Sequence, residues 1–183
     1  MSIRKIGLHW LCGLFDGEAS FIYRVSRLPS RTNLTFQASI QIEMRTGNWS
    51  NEVTRILEGY NIKIFKRERR NPNQYLTEMT TIMILRKGDI EKLSRLLRMH
   101  CVVKREHAKL FSFLPDDKKS MKWDNGKQIP DWKVIEERLT FLEKIRELNK
   151  KSRSGLRTFI WTPDKIRSYY IDLYPLGSHV LGS

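Results

Sequence analysis

Asp16, Gly17 and Glu18 are the residues of this chain whose types and spacing best suit chemistry. They close the apolar run Trp10-Leu11-Cys12-Gly13-Leu14-Phe15. A lone carboxylate at a helix-to-strand junction is usually a cap or a surface charge. Three features favour a metal-binding role for Glu18. It ends the least polar segment of the chain, it follows a glycine whose carbonyl is accessible for coordination, and it precedes a strand with a polar outer face. Hard divalent cations such as Mg2+ take oxygen ligands and keep several waters, so one or two carboxylates plus phosphate oxygens suffice. A cation held at a phosphate activates water and stabilises the leaving oxygen.

Composition narrows the partner. The 183 residues include 34 Lys plus Arg against 20 Asp plus Glu, a net charge of +14. Such an excess favours a polyanion: DNA, RNA or an anionic membrane surface. No apolar run approaches the roughly 20 residues that span a bilayer, and the N-terminal segment lacks a signal-peptide core. Membrane insertion is therefore not expected. Cys12 and Cys101, both with apolar neighbours, make neither a disulfide framework nor a zinc pattern and read as buried thiols of an intracellular protein. His9, His100, His107 and His179 lack metal-ligand spacing. Nothing resembles a P-loop or a dinucleotide fingerprint, so no small-molecule cofactor is expected.

The elements that must position Glu18 follow from periodicity. Ile3 to Phe15 reads as a helix apolar nearly all round, with Gly17 as its terminator. From Ala19 the period becomes two: Ala19, Phe21, Tyr23 and Val25 alternate with Ser20, Ile22, Arg24 and Ser26. After a turn containing Arg31 and Asn33, Phe36, Ala38, Ile40, Ile42 and Met44 face one way. Thr35, Gln37, Ser39, Gln41, Glu43 and Arg45 face the other. Ser50 or Asn51 opens a short helix to Gly59, and 62–70 with 75–85 form a second strand pair. Asp89 caps a helix to about Met99, and Val102 to Leu114 reads as another helix. A polar loop covers 116–129, a long amphipathic helix spans Asp131 to Lys150, and Thr162-Pro163-Asp164 opens a last one. One domain over 1–174 is expected, helical from about 131, with a tail at 175–183. Gly13 and Gly17, four residues apart, share a helix face where small residues let backbones approach. That face serves either a second copy of the chain or the protein's own core.

The run at 10–20 resembles the signature of the LAGLIDADG homing endonucleases, with Leu11, Gly13, Leu14, Asp16 and Gly17 in register and the motif present once. The resemblance implies an α+β fold: an αββαββα core with a four-stranded antiparallel saddle-shaped sheet, plus C-terminal helices. It implies a homodimer paired through Trp10, Gly13, Leu14 and Gly17, since one carboxylate cannot serve both strands of a duplex and a two-fold axis supplies two. It implies Mg2+-dependent double-strand cleavage of a long pseudo-palindromic DNA target with short 3′ overhangs, where Mn2+ or Ca2+ can occupy the same site. Glu18 and the Gly17 carbonyl would hold the metal, while Asp16 is mainly structural.

Lys104, four residues before Ala108, stands where the family places a basic residue that completes the active site. Thr46 stands where a water-positioning Gln is frequent, and reaches less far. The reading face would comprise Ser20, Ile22, Arg24, Ser26, Arg31 and Asn33, then Gln37, Ser39, Gln41 and Glu43. The second pair adds Lys66, Glu68, Arg70, Gln74, Thr81 and Met83. Both faces of 66–70 are polar, so the even phase there follows the resemblance and not the periodicity. Lys150 and Arg153 would touch phosphates. Such proteins are typically encoded in introns of organellar (chloroplast or mitochondrial) or archaeal genes. Other readings are an intron maturase or a cleavage-inactive nucleic-acid-binding protein on the same fold. An RNA-associated structural protein fits the charge but leaves Asp16-Gly17-Glu18 unexplained.

Overall fold

The computed structural model describes residues 3–27, 33–70, 78–116, 119–151 and 161–174. The first part of the chain forms α1 (Ile3–Glu18), β1 (Ala19–Arg27), β2 (Leu34–Arg45), α2 (Asn48–Gly59), β3 (Phe65–Arg70), β4 (Glu78–Ile84), α3 (Lys87–Leu97) and α4 (Arg105–Phe111). A hairpin of β5 (Met121–Asp124) and β6 (Lys127–Pro130) follows, then α5 (Trp132–Lys151) and α6 (Pro163–Leu173). The leading order is αββαββα, and the first four strands make one sheet in the order β1-β2-β4-β3. Both β2 and β3 run antiparallel to β4.

The chain divides into two units, the described residues within 1–23 and 37–114 forming one and those within 24–36 and 115–174 the other. In the first, alternation along the strands sets the core. Ile40, Ile42, Ile82 and Ile84 are buried, together with Leu11 and Phe15 of α1, Val53 and Leu57 of α2, and Ile90, Leu93 and Leu97 of α3. Phe21 of β1 meets Phe111 of α4 edge to face at 5.1 Å. In the second, the predicted stripe of α5 is buried at Val134, Ile135, Leu139, Leu142 and Ile145, with Ile166 and Tyr170 of α6. Arg138 is buried there too, donating to Ser120 Oγ at 2.6 Å and to the Asp116 carbonyl at 2.9 Å.

Several local expectations change. Gly17 does not end α1, which runs on through Glu18. Its φ is not among the positive ones, so the glycine supplies space and not a special conformation. The helix expected over 102–114 is confined to Arg105–Phe111. Asp89 lies in the first turn of α3 instead of capping it. The loop at 116–129 contains the β5–β6 hairpin, turned by Asn125 and Gly126 with φ of 47° and 76°, the geometry Asn-Gly favours in two-residue hairpins. The Thr162 cap is as expected, its hydroxyl accepting from the Lys165 N–H at 3.2 Å.

Candidate functional site

The two acids at the end of α1 have different surroundings. Asp16 reaches the segment before α4, where Oδ2 accepts from the Val102 N–H at 2.7 Å and Oδ1 from the Lys104 N–H at 2.8 Å. Burial pushes its carboxyl up, but the backbone N–H groups of Lys104, Val102 and Val103 outweigh that and hold it below the ordinary carboxylate range. Glu18 is exposed at the last helical position, beside the exposed Gly17. Among the described residues it has no hydrogen-bond or ion-pair partner, so its carboxylate is open to a ligand.

Other bonds stitch the same segment to α1. The Cys101 thiol donates to the Cys12 carbonyl at 3.5 Å, both cysteines being buried as expected. Its hydrogen bonding with Cys12, then burial, push the Cys101 thiol up, so it remains protonated. Arg105 Nε donates to the Cys101 carbonyl at 3.1 Å, and the Lys104 carbonyl accepts the Ala108 N–H at 2.9 Å, starting α4. Lys104 is thereby fixed at the N-cap of α4, half-buried, with its backbone bonded to the residue two before Glu18. Nothing in the sequence announced this link between Asp16 and residues 102–104, because the partners are backbone groups.

Thr46 behaves differently. Its N–H donates to the Glu78 carbonyl at 2.8 Å, and its hydroxyl lies 2.8 Å from that of Thr80, which is buried. Among the described residues no hydrogen bond ties Thr46 to the 16–18 segment.

Around the glycines α1 is open. Among the described residues, a Cβ built on Gly13 or Gly17 meets nothing within 4 Å, so no described part of the core occupies that face. Leu14 is half-buried beside it, and Trp10 stacks on Trp49 of α2 at 5.5 Å, with Trp49 65% exposed.

The register of the sheet corrects the proposed reading face. Residues directly opposite across an antiparallel pair point to the same side. Gln41 pairs with Met83, Glu43 with Thr81 and Arg45 with Met79. On the other side of β4, Phe65 pairs with Met83, Arg67 with Thr81 and Arg69 with Met79. The odd residues of β3 therefore share the open face with Gln41, Glu43, Thr81 and Met83. Lys66 and Glu68 pair with Ile82 and Thr80, on the face that carries the isoleucine core, and Arg70 takes the next even register position, opposite Glu78. The even phase expected for β3 is thus on the isoleucine side, and Phe65, Arg67 and Arg69 take the register positions on the open face. Ser39 is also not a free reader: it is 1% exposed, and its hydroxyl accepts from Gln41 Nε2 at 3.2 Å.

Of the remaining candidates, Arg24 and Ser26 are exposed, whereas Ser20, Ile22 and Gln37 are half-buried. Asn33 is half-buried with its side-chain oxygen enclosed. Lys150 is exposed near the end of α5. Arg31, Gln74, Arg153 and the tail at 175–183 lie outside the described residues.

Among the described residues no cluster of His, Cys, Asp and Glu is ready to hold a metal alone. Glu18 and the Gly17 carbonyl are hard oxygen donors and suit a divalent ion that takes its other ligands from water and phosphate. No described helix is long and apolar enough to cross a membrane.

No protein-family model and no curated protein matches the sequence. Solved structures do match the fold. The homing endonuclease I-CvuI, in complex with a DNA target in the presence of Mg, aligns with a TM-score of 0.66 and 16% identity, over 93% of this chain and 96% of that one. The archaeal intron-encoded homing endonuclease I-Vdi141I, complexed with DNA, aligns with a TM-score of 0.60 and 15% identity, over 95% and 99%. I-CvuI with its own target in the presence of Ca gives 0.65 and 15% identity, over 93% and 95%. Over nearly its whole length, this chain has the fold of the homing endonucleases.

Proposed function

We propose that this protein is a homodimeric, metal-dependent DNA endonuclease that makes a double-strand break in a long pseudo-palindromic target, leaving short 3′ overhangs. The observation that carries the reading is the division of labour at the end of α1. Asp16 is consumed by the backbone at 102–104, while Glu18 two residues on is exposed and uncommitted. A structural motif needs only the first acid; the second has no structural task.

Glu18 and the Gly17 carbonyl would bind a divalent ion, Mg2+ by preference with Mn2+ or Ca2+ as substitutes. When bound, the ion supplies charge neutralisation at the phosphate and a more acidic water. Lys104, held by Asp16, would place an ammonium beside the phosphate and stabilise the charge that grows as the bond to the leaving oxygen breaks. The open face of the sheet would lie in the major groove, and Arg24, Ser26 and Lys150 would add polar and phosphate contacts. Two copies would pair along the Gly13–Gly17 face of α1, flanked by Trp10 and Leu14, bringing two Glu18 to one centre. A host gene in an organelle or an archaeon would place the protein inside the cell.

One observation favours a cleavage-inactive binding protein or maturase on this fold. Thr46, where a water-positioning side chain was expected, has its hydroxyl against Thr80. The test is incubation with a randomised duplex library and Mg2+, sequencing the cut ends, beside Glu18→Gln. Paired breaks from the wild type, lost in a variant that still binds DNA, support the endonuclease. Binding without cutting gives the maturase or binding reading. Equal cutting by Glu18→Gln overturns the metal assignment, and a monomer on DNA by sedimentation overturns the dimer.

A further inference from the structure

The corrected register arranges the open face in cross-strand rows, and these rows have distinct chemistry. One row is Glu43–Thr81–Arg67 and the next is Gln41–Met83–Phe65. Glu43 and Arg67 are exposed and Phe65 is 45% exposed, while Thr81, Met83 and Gln41 are half-buried. Among the described residues, neither Glu43 nor Arg67 has an ion-pair partner.

Glu43 is the informative residue. An acid in the middle of a basic face weakens the attraction to any polyanion unless it meets a hydrogen-bond donor. In the major groove cytosine N4 is such a donor, and the guanine paired with it offers O6 and N7 to an arginine. The row therefore carries both halves of one complementary reading, Glu43 for cytosine and Arg67 for guanine. The other row is complementary in a different way. Gln41 suits adenine N6 and N7, and Met83 and Phe65 present apolar surface to the thymine methyl. Gln41 already donates one amide N–H to buried Ser39, which leaves the second N–H and the oxygen for the adenine edge.

Spacing agrees with this division. Neighbouring strands lie about 4.8 Å apart, so β2 and β3 stand about 10 Å apart across a row, within a major groove about 12 Å wide. Same-face residues recur about every 6.8 Å along a strand, which is two base-pair steps of about 3.4 Å.

We propose that the row Glu43–Thr81–Arg67 reads a C·G pair and the row Gln41–Met83–Phe65 reads an A·T pair two steps away, with the cytosine and the adenine on the same DNA strand. The proposal rests on the duplex-DNA reading above and adds which bases this chain selects and with which residues.

The experiment is selection from a randomised duplex library in Ca2+, using the full chain and its Glu43→Ala, Arg67→Ala, Arg67→Lys and Gln41→Ala variants, with folding checked by circular dichroism. The wild type should enrich a C and an A separated by one base pair on one strand. Glu43→Ala and Arg67→Ala should lower discrimination at the same C·G pair, each by about 10-fold, and leave the A·T pair unchanged. Arg67→Lys should keep overall affinity and lose discrimination at that pair, because a lysine lacks the two-pronged geometry. Gln41→Ala should act only at the A·T pair. If Glu43 and Arg67 variants change different pairs, or the selected site stays unchanged, the row assignment is overturned while DNA binding stands. If the wild type binds no duplex at all, the duplex-DNA reading falls and this one with it.

Discussion

Replacing Asp16 by alanine should loosen the Lys104 segment while leaving Glu18, the proposed metal ligand, intact. The substitution removes two charge-assisted hydrogen bonds, at 2.7 Å to Val102 and 2.8 Å to Lys104. Hydrogen bonds to a charged group contribute about 1.5–3 kcal/mol each. Val102 is 77% exposed, so water replaces most of the loss at its N–H, whereas Lys104 is half-buried. The expected destabilisation is therefore about 2–3 kcal/mol and not the full sum. If that loss is local, the Val102 and Lys104 amides should exchange with solvent roughly 30- to 150-fold faster. Denaturant unfolding and native-state hydrogen exchange measure the two quantities. Cutting should also fall, because Lys104 is no longer held, and a small misplacement can reduce a rate by about 100-fold. Glu18→Gln is the matching control: with no partner to lose, it should shift stability by less than about 0.5 kcal/mol and still abolish cutting. The reasoning is refuted if Asp16→Ala unfolds at the wild-type denaturant concentration with unchanged exchange at 102 and 104.

Three further outcomes are expected. Because Asp16 is held below its ordinary range, its contribution is present above the unfolded carboxylate value, near pH 3.8, and disappears as pH falls through its lower folded value. An acid titration should show the wild type losing its advantage over Asp16→Ala in that window and not near neutrality. Gly13→Ala adds a methyl where nothing lies within 4 Å, so it should stabilise the single chain by about 1 kcal/mol through helix propensity. In sedimentation the same variant should dimerise more weakly, and unchanged dimerisation would remove this face of α1 from the interface. Lys150→Ala should weaken DNA binding evenly across sequences and lower the salt slope by about 1, as read by titration at several ionic strengths.

The core was legible in the sequence wherever one face of an element is apolar. Ile40 and Ile42 fixed the phase of β2, and the stripe from Val134 to Ile145 fixed α5. The strand β3 was not legible in this way. Phe65-Lys66-Arg67-Glu68-Arg69-Arg70 is exposed wherever its side chains are described, so its own sequence does not choose a side. Pairing with β4 decides it, and that information lies in the partner strand. The site was half legible. The position of Glu18 at the end of the motif helix was legible and its exposure agrees with that expectation, while spacing placed Gly13 and Gly17 on one face without saying what covers it. The hold of Asp16 on residues 102–104 was hidden because backbone donors carry no sequence signature. The hairpin at Asn125-Gly126 did carry one, and the polar composition around it masked the signal.

The odd residues of β3 and β4 lie on the side of the sheet away from the isoleucines, and β3 is an edge strand. A change at Phe65, Arg67 or Arg69 therefore leaves the packed interior alone. Under the proposed function, target preference and folding would thus be carried by alternate letters of the same short strands, and one could drift while the other stayed fixed. A lineage of chains that reads DNA with this face would then wander between target sequences through single substitutions without passing through unfolded intermediates.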